Sequence, residues 1–309
     1  MVIPVSAAAL ERLQAAFGQR IQFGVPLARY TAARLGGPAD ALLVVNDAEE
    51  LAGAAKMLWA EGLPFTILGG GSNVLVSDAG VRGVVLLNRA RRTRFDPHAD
   101  PPVVWAESGA NFGALARQAA NKGLSGLEWA AGVPGTLGGA VAGNAGAHDG
   151  DVAGNLVQAE MLHRTRGREI WPVEKMAYAY RDSALKRNPG QAVVLAATLK
   201  LTPGEPEAIR AKMERFSQHR HRTQPPGASM GSMFKNPRRD YAGRLIEQAG
   251  LKGVRVGDAE ISRLHANFFI NRGAASAADV YALIRLAQRT VEEKFGVRLE
   301  LEIELVGEW

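Results

Sequence analysis

Residues 131–146 read AGVPGTLGGAVAGNAG, and this stretch decides the fold that we expect for the chain. It is rich in glycine and has no charged residue, which disfavours a regular helix and favours tight turns. Two shorter segments precede it, LGGGSNV at residues 68–74 and RLGGPA at residues 34–39. Backbone without Cβ atoms can approach a phosphate closely, and successive N–H groups form an anion-binding nest. Three such segments in one chain favour a large dinucleotide ligand over a set of ordinary turns.

The candidate cofactor contacts are the residues of these segments that let the backbone approach a ligand or can add a side-chain hydrogen bond. They are Arg34, Gly69, Gly70, Gly71, Ser72, Asn73, Gly132, Pro134, Gly135, Thr136, Gly138, Gly139, Asn144 and Gly146. The sequence contains no GxGxxG motif, so a Rossmann dinucleotide site has no support. It contains no GxxxxGK[ST] motif either, which excludes a P-loop.

The composition limits the class of protein. The chain has 309 residues, 47% of them hydrophobic and 22% charged, which is typical of a globular protein of two or three domains. It has no cysteine, which excludes disulfides, thiolate metal sites and thiol nucleophiles, and its six histidines show no metal-binding spacing. The opening MVIPVSAAALERLQ lacks the basic start of a signal peptide, so we expect a cytoplasmic protein.

The formal net charge of +6 suits polyanionic ligands such as diphosphates and dinucleotides. A nucleic-acid-binding protein is the alternative outside enzymes, but the basic runs RARRTR (89–94) and QHRHR (218–222) lack interleaved aromatic side chains for base stacking. We expect no membrane contact either. Residues 129–147 are uncharged, yet their glycines and proline would make a poor spanning helix.

Hydrophobic periodicity predicts an α/β pattern over the first two-thirds of the chain and a smaller α+β part after it. Strands are expected at 39–45, 65–68, 84–88, 103–107, 193–201 and 298–306, and helices at 7–17, 48–61, 111–122, 207–220, 242–248 and 277–294. The breaks TPG at 202–204 and QPPG at 224–227 interrupt this pattern. The last strand, RLELEIELV, alternates apolar residues with three glutamates, so one of its faces is expected to be buried.

Three segments resemble the FAD-binding region of the UDP-N-acetylenolpyruvoylglucosamine reductase family in order and spacing. They read YTAARLGGPAD (30–40), LGGGSNVLVSDAG (68–80) and GLEWAAGVPGTLGGAVAGNAGA (126–147). The resemblance implies a two-lobed FAD-binding fold of the p-cresol methylhydroxylase and vanillyl-alcohol oxidase type, followed by a C-terminal α+β substrate-binding domain. The implied division is an FAD-binding region at 1–203, with lobes at about 20–88 and 89–203, and a substrate-binding domain at 204–309. FAD is expected to bind non-covalently, because the chain has no cysteine and no histidine near the first glycine segment.

The resemblance also implies the catalytic residues. AYAYRDSALK (177–186) would supply Arg181, GSMFKNP (231–237) would supply Ser232 as the proton donor, and the last strand would supply Glu302. The substrate would be held by Tyr180, Lys235, Asn236 and His265. A guanidinium suits a substrate carboxylate because it donates two parallel hydrogen bonds. The chain departs from the family pattern at Ala179, where glycine is usual, and at Glu304, where arginine is common.

The activity that the resemblance implies is reduction of UDP-N-acetylglucosamine enolpyruvate to UDP-N-acetylmuramate, a peptidoglycan precursor, with NADPH as the reductant. The short stretch between Arg181 and Ser232 resembles the compact class, which lacks an extra tyrosine-bearing loop. A monomer is expected. A different flavin oxidase of the same fold stays the rival within enzymes. A hydrolase is disfavoured, because the GxSxG match at 227–231 follows prolines rather than a strand.

Overall fold

The computed structural model describes residues 7–309, so the first six residues of the segment weighed as a signal peptide lie outside it. The helices are α1 (Ala7–Phe17), α2 (Ala48–Ala60), α3 (Phe112–Asn121), α4 (Leu137–Gly143), α5 (Val152–Asn155), α6 (Ala184–Arg187), α7 (Pro206–Thr223), α8 (Ala242–Gln248) and α9 (Ala277–Phe295). The strands are β1 (Ile21–Pro26), β2 (Pro38–Val45), β3 (Phe65–Leu68), β4 (Val74–Val76), β5 (Val81–Asn88), β6 (Thr93–Asp96), β7 (Val103–Glu107), β8 (Leu124–Ser125), β9 (Gly146–Ala147), β10 (Gly150–Asp151), β11 (Leu156–His163), β12 (Gly167–Pro172), β13 (Ala192–Lys200), β14 (Thr202–Pro203), β15 (Ala228–Ser232), β16 (Arg255–Val256), β17 (Ala259–Ile261), β18 (Phe268–Asn271) and β19 (Glu304–Val306). Every helix expected from periodicity is present, with some ends shifted by a few residues.

The first lobe is a four-stranded sheet in the order β1-β2-β5-β3. Strands β2, β5 and β3 run parallel, and β1 is antiparallel to β2. Helix α2 covers the sheet because its apolar face, which includes Leu51 and Leu58, is fully buried against Leu43 and Leu86. The helix begins after Asp47, whose carboxylate accepts a hydrogen bond from the Glu50 N–H at 2.8 Å. Strand β3 leads directly into the glycine segment at residues 68–74.

The second lobe is a five-stranded antiparallel sheet in the order β12-β11-β13-β7-β6. Helices α3 and α4 contribute Phe112, Leu115 and Leu137 to its core. The same core contains Ile209 and Met213 from α7, which follows the expected boundary at residue 203. By its packing, α7 therefore belongs with the second lobe, and the division at 203 stays a prediction.

The C-terminal part is a four-stranded antiparallel sheet, β15-β18-β17-β16, packed against α8 and α9. Its core includes Phe234 and Phe269, whose rings meet edge to face at 6.0 Å. Helix α9 begins with a reciprocal capping box between Ser276 and Asp279, which fixes where the helix starts.

The prediction of one strand over residues 298–306 is wrong in its extent. The segment pairs with one part of the chain at its start and with another part at its end. Main-chain bonds first join Glu300 and Glu302 to the turn after β15, from Lys235 N to Glu300 O at 2.8 Å and from Glu302 N to Met233 O at 2.9 Å. Only Glu304–Val306 then forms a regular strand, β19, parallel to β4 of the first lobe. The C-terminal segment thus ties the last domain to the residues that follow the first glycine segment.

The uncharged stretch at 129–147 folds as a short 3-10 turn, the seven-residue α4 and connecting turns. Across residues 7–309, no helix has the length and apolar character needed to span a membrane.

Candidate active site

Two of the glycine segments meet face to face. We define loop one as residues 69–73 and loop two as residues 132–139. A Cβ atom on Gly70 would lie 2.9 Å from the Gly135 Cα, and a Cβ on Gly69 would lie 2.2 Å from the Thr136 Oγ1. The Ser72 hydroxyl donates to the Pro134 carbonyl at 3.3 Å. The two loops can approach this closely because Gly69, Gly70 and Gly135 have no side chain at these contacts.

The third segment, around Arg34, lies beside loop one. The Ala32 N–H donates to the Gly71 carbonyl at 2.8 Å. Gly71 has φ +59°, and a Cβ there would lie 2.1 Å from the Tyr30 carbonyl oxygen. Arg34 itself is exposed and has φ +57°, which turns the chain immediately after this contact. The three segments singled out in the sequence are therefore neighbours in space.

The space around α4 tests whether these loops can hold FAD. Leu137 and Val141 bury one side of the helix completely. On Gly143 an added Cβ would meet nothing within 4 Å, and on Gly139 it would meet only the Thr136 Oγ1, at 3.8 Å. Small residues on an open helix side next to two glycine loops leave room for a large ligand. The residues present therefore fit the cofactor that the sequence implies.

Asn144 and Gly146 follow α4, beyond loop two, towards Arg181. The Asn144 side chain is buried, donates to the Ala179 carbonyl at 3.1 Å and accepts from the Ala153 N–H at 3.0 Å. The Gly146 carbonyl accepts from Arg181 Nη2 at 2.8 Å. Both residues brace the segment that carries Arg181, and contact between them and the cofactor stays a prediction.

Arg181 and Glu302 form a hydrogen-bonded ion pair between the FAD-binding part and the C-terminal segment. Arg181 Nε donates to Glu302 Oε1 at 2.7 Å, and the two side chains are only 22% and 17% exposed. Asp182, the neighbour that could have paired with Arg181, is bonded to Arg187 instead. That guanidinium helps to lower the pKa of the Asp182 carboxyl against the opposing effect of burial. Glu302, and not Asp182, is therefore the carboxylate that pairs with Arg181.

Ser232 ends β15, directly before the turn that bonds to the Glu302 segment. It pairs with Phe268 in the sheet, and the next residue accepts the hydrogen bond from the Glu302 N–H. The turn is held from behind by Asn267, a buried side chain that bonds both the N–H and the carbonyl of Phe234, at 2.9 and 2.8 Å. The fold thus connects Ser232 through the next residue to Glu302, and Glu302 to Arg181, where the C-terminal domain meets the second lobe.

Loop one reaches the same junction through Asn73. The Asn73 side chain donates to the Glu302 carbonyl at 3.1 Å, and its own carbonyl accepts from the Glu304 N–H at 2.9 Å. Asn73 therefore fixes the backbone directly after Glu302, and the cofactor contact that the sequence assigned to it stays a prediction.

The four predicted substrate contacts have different surroundings. Tyr180 is 53% exposed, with its ring centroid 5.3 Å from the Arg181 Cζ. Lys235 faces Glu300, with Nζ 3.6 Å from Oε2. The Asn236 carboxamide oxygen accepts from the first N–H of α8, that of Ala242, at 3.1 Å.

His265 is packed into the C-terminal domain. Its Nδ1 accepts from the Asn267 N–H at 3.2 Å, and its ring meets Phe268 edge to face at 5.0 Å. Burial lowers the pKa of the His265 imidazole, which favours the neutral ring. These contacts suit a role in bracing Asn267, and a contact with substrate stays a prediction.

Sequence reasoning missed Lys186, although it lies within the segment that supplies Arg181. Its Nζ is 3.4 Å from Glu304 Oε1, so the glutamate that departs from the family pattern has a cation opposite it. The motif at 227–231 is not a nucleophile elbow, since Ser229 lies within β15, paired with Ile270. Throughout residues 7–309, no cluster of three His, Cys, Asp or Glu side chains has the arrangement of a metal site.

Comparison with known proteins gives the family. The protein-family model "FAD binding domain" matches residues 39–170. The family model "UDP-N-acetylenolpyruvoylglucosamine reductase, C-terminal domain" matches residues 222–306. The expected combination of an FAD-binding fold with a C-terminal α+β domain is thereby confirmed, and so is FAD as the cofactor.

Sequence relatives over almost the whole chain carry the same name. UDP-N-acetylenolpyruvoylglucosamine reductase of Chloroflexus aggregans is 44% identical over 91% of this chain and 96% of its own length, and that of Rubrobacter xylanophilus is 44% identical over 93% and 95%. The crystal structure of the reductase from Thermus caldophilus superposes with a TM-score of 0.78 at 38% identity, over 91% of this chain and 97% of that one. The chain belongs to the UDP-N-acetylenolpyruvoylglucosamine reductase family and is an FAD-dependent oxidoreductase.

Proposed function

We propose that this chain reduces UDP-N-acetylglucosamine enolpyruvate to UDP-N-acetylmuramate for peptidoglycan synthesis, with NADPH as the reductant. The observation that carries the proposal is the junction of Arg181, Glu302 and Ser232 beside two glycine loops that fit FAD. FAD held by loop one and loop two would supply hydride transfer from NADPH to the enolpyruvyl carbon distal to the carboxylate.

Arg181 is assigned to the negative charge that develops on the carboxylate side of the substrate, and Glu302 is assigned to holding Arg181 in position. Arg181 is held by the Gly146 carbonyl and the Glu302 carboxylate, so its guanidinium is oriented before substrate arrives. An oriented cation in a partly buried site stabilises developing charge without the cost of reorganisation. This arrangement supports a role for Arg181 at the substrate carboxylate.

Ser232 is assigned the proton that completes the reduction. Once hydride has reached the distal carbon, the adjacent carbon is enolate-like and basic enough to take a proton from a hydroxyl. Ser232 ends a strand whose following turn is fixed by the buried Asn267. The hydroxyl is therefore held on a rigid element, as a positioned general acid requires.

Lys235, Asn236 and Tyr180 lie close in the chain to Ser232 and Arg181 and are assigned to the UDP-sugar. Lys235 offers a cation and Tyr180 an exposed aromatic face, which suit a diphosphate and a base or sugar ring. We also propose that the protein acts as a cytoplasmic monomer on these small molecules and binds neither nucleic acid nor membrane.

Two half-reactions test the function. NADPH is added anaerobically to the purified yellow protein, and UDP-N-acetylglucosamine enolpyruvate is added after the flavin absorbance has bleached. The proposal predicts bleaching followed by recovery of absorbance on addition of the enolpyruvyl substrate. Bleaching that recovers only with oxygen would contradict the proposed substrate and favour a different flavin oxidase. A protein that stays colourless after incubation with FAD would contradict the cofactor as well.

A further inference from the structure

The end of α7 brings a partly buried cation to loop two. Arg220 donates from Nη1 to the Gly132 carbonyl, and a Cβ on Gly132 would lie 3.1 Å from the Arg220 Cδ. Burial lowers the pKa of the Arg220 guanidinium. Helix α7 is therefore part of the wall beside loop two, in addition to its place in the core of the second lobe.

Gln224 follows one turn after Arg220 and has an unpaired buried group. Its N–H donates to the Arg220 carbonyl at 2.8 Å, which closes the helix. Its side-chain oxygen is buried, and among residues 7–309 it is the buried side-chain nitrogen or oxygen that has no hydrogen-bond partner. Buried polar groups are nearly always hydrogen-bonded in native proteins, so an exception calls for a missing donor.

The position of Gln224 limits what that donor can be. One turn before it, Arg220 contacts loop two, and four residues after it begins β15, the strand that ends at Ser232. Gln224 therefore lies on the connection between the cofactor loops and the proton donor. The next two residues are prolines, which restrict the backbone at Gln224.

We propose that Gln224 is a cofactor-contacting residue whose side-chain oxygen accepts a hydrogen bond from the bound flavin. The inference rests on the proposed function, because it requires FAD between loop two and β15. Oxidised FAD offers two kinds of donor there, the N3–H of the ring and the ribityl hydroxyls, and either would satisfy the carboxamide oxygen.

Gln224→Met tests the proposal, because methionine is similar in length and cannot make the hydrogen bond. The matched control is Gln218→Met, which changes an exposed glutamine of the same helix, bonded to Glu214 at 2.9 Å. FAD affinity is measured by titrating the full-length apoprotein, and thermal unfolding is followed with and without FAD. We expect the FAD dissociation constant of Gln224→Met to rise about tenfold, since one hydrogen bond to a buried group is lost. Gln218→Met should bind as the unchanged protein does.

The apoprotein separates a cofactor contact from a structural role. If the oxygen has no partner without flavin, Gln224→Met removes an unpaired buried group, and the apoprotein should unfold at the same or a higher temperature than the unchanged apoprotein. A shift of the flavin absorption band in the variant would assign the contact to the ring, and weaker binding with an unchanged spectrum would assign it to the ribityl chain.

An FAD dissociation constant within twofold of the unchanged protein would overturn the proposal. So would a loss of stability in the apoprotein as large as the loss in the holoprotein, which would mean a structural partner such as a buried water. Failure of the proposed function would look different, since the unchanged protein would then bind no FAD or would not pass its electrons to the enolpyruvyl substrate.

Discussion

The glycine loops meet largely through backbone, since a Cβ on Gly70 would lie 2.9 Å from the Gly135 Cα, whereas Arg181 and Glu302 meet through their side chains. Loop one and loop two both belong to the FAD-binding part. Arg181 comes from that part and Glu302 from the C-terminal segment, so their ion pair joins two parts of the molecule. Under the proposed function this difference is a division of labour, in which we expect the backbone to hold the cofactor and the side chains to act on the substrate.

The largest effect is expected from Glu302→Gln, which removes the charge that orients Arg181. Oxidation of the reduced enzyme by the enolpyruvyl substrate should slow by about 10³-fold, the loss expected for an oriented electrostatic contact. FAD should remain bound, because the loops are untouched. Stopped-flow absorbance measures this rate. The control is Glu300→Gln, whose side chain is 75% exposed, and equal slowing in both variants would contradict a specific role for Glu302.

Gly71→Ala tests the close backbone packing of loop one. Alanine would have to adopt φ +59° with its Cβ 2.1 Å from the Tyr30 oxygen. We expect the free energy of unfolding to fall by about 2–4 kcal/mol and FAD to be lost on purification. Denaturant unfolding and the flavin-to-protein absorbance ratio measure the two effects.

Gly53→Ala is the control, since a Cβ there meets nothing within 4 Å on α2. That change should stabilise the helix by about 0.5–1 kcal/mol. If both glycine variants retained FAD equally well, close packing of loop one would not be what holds the cofactor.

Asn267→Ala tests a turn in which a side chain makes hydrogen bonds that main-chain groups make in a regular sheet. It would leave the Phe234 N–H and carbonyl unpaired, and we expect a loss of about 1–3 kcal/mol in the free energy of unfolding. Asn267→Asp keeps an acceptor for the N–H but would bury a carboxylate oxygen against the Phe234 carbonyl, so it should lose at least as much. Guanidinium unfolding of the three proteins gives the ranking, and a reversed order of the two variants would argue against this account of the turn.

The smallest effect is expected at the second interdomain pair, Lys186 with Glu304. Glu304 is largely exposed, and such pairs contribute below about 1 kcal/mol and weaken with salt. A double-mutant cycle with Lys186→Met and Glu304→Gln, read by unfolding at low and high salt, measures the coupling. A coupling above about 2 kcal/mol would place this pair with Arg181–Glu302 rather than at the rim.

The glycine segments were predictable because their composition is local. A run of glycines is visible in the sequence wherever the backbone must come close to another segment, and the three segments do lie together. Strand β11, which lies inside the second sheet, was not predicted, because Gln158 and Glu160 interrupt its apolar run.

The residues proposed for catalysis were harder to predict from the sequence alone. Glu300, Glu302 and Glu304 are equivalent in a strictly alternating strand, and only the resemblance singled out Glu302. The structure distinguishes them physically, since Glu302 is partly buried against Arg181 while its two neighbours are exposed. Asn267 was missed as a brace because its partner, Phe234, is distant in sequence and no local pattern records such a contact.

The most direct test of the division of labour is the pair of half-reactions in Ser232→Ala, with Ser229→Ala on the same strand as its control. The account predicts that both variants bind FAD and are reduced by NADPH as the unchanged protein is. Only Ser232→Ala should then be reoxidised by the enolpyruvyl substrate at least about a hundredfold more slowly. Fast reoxidation of Ser232→Ala, or equal slowing in Ser229→Ala, would contradict the assignment of the proton to Ser232.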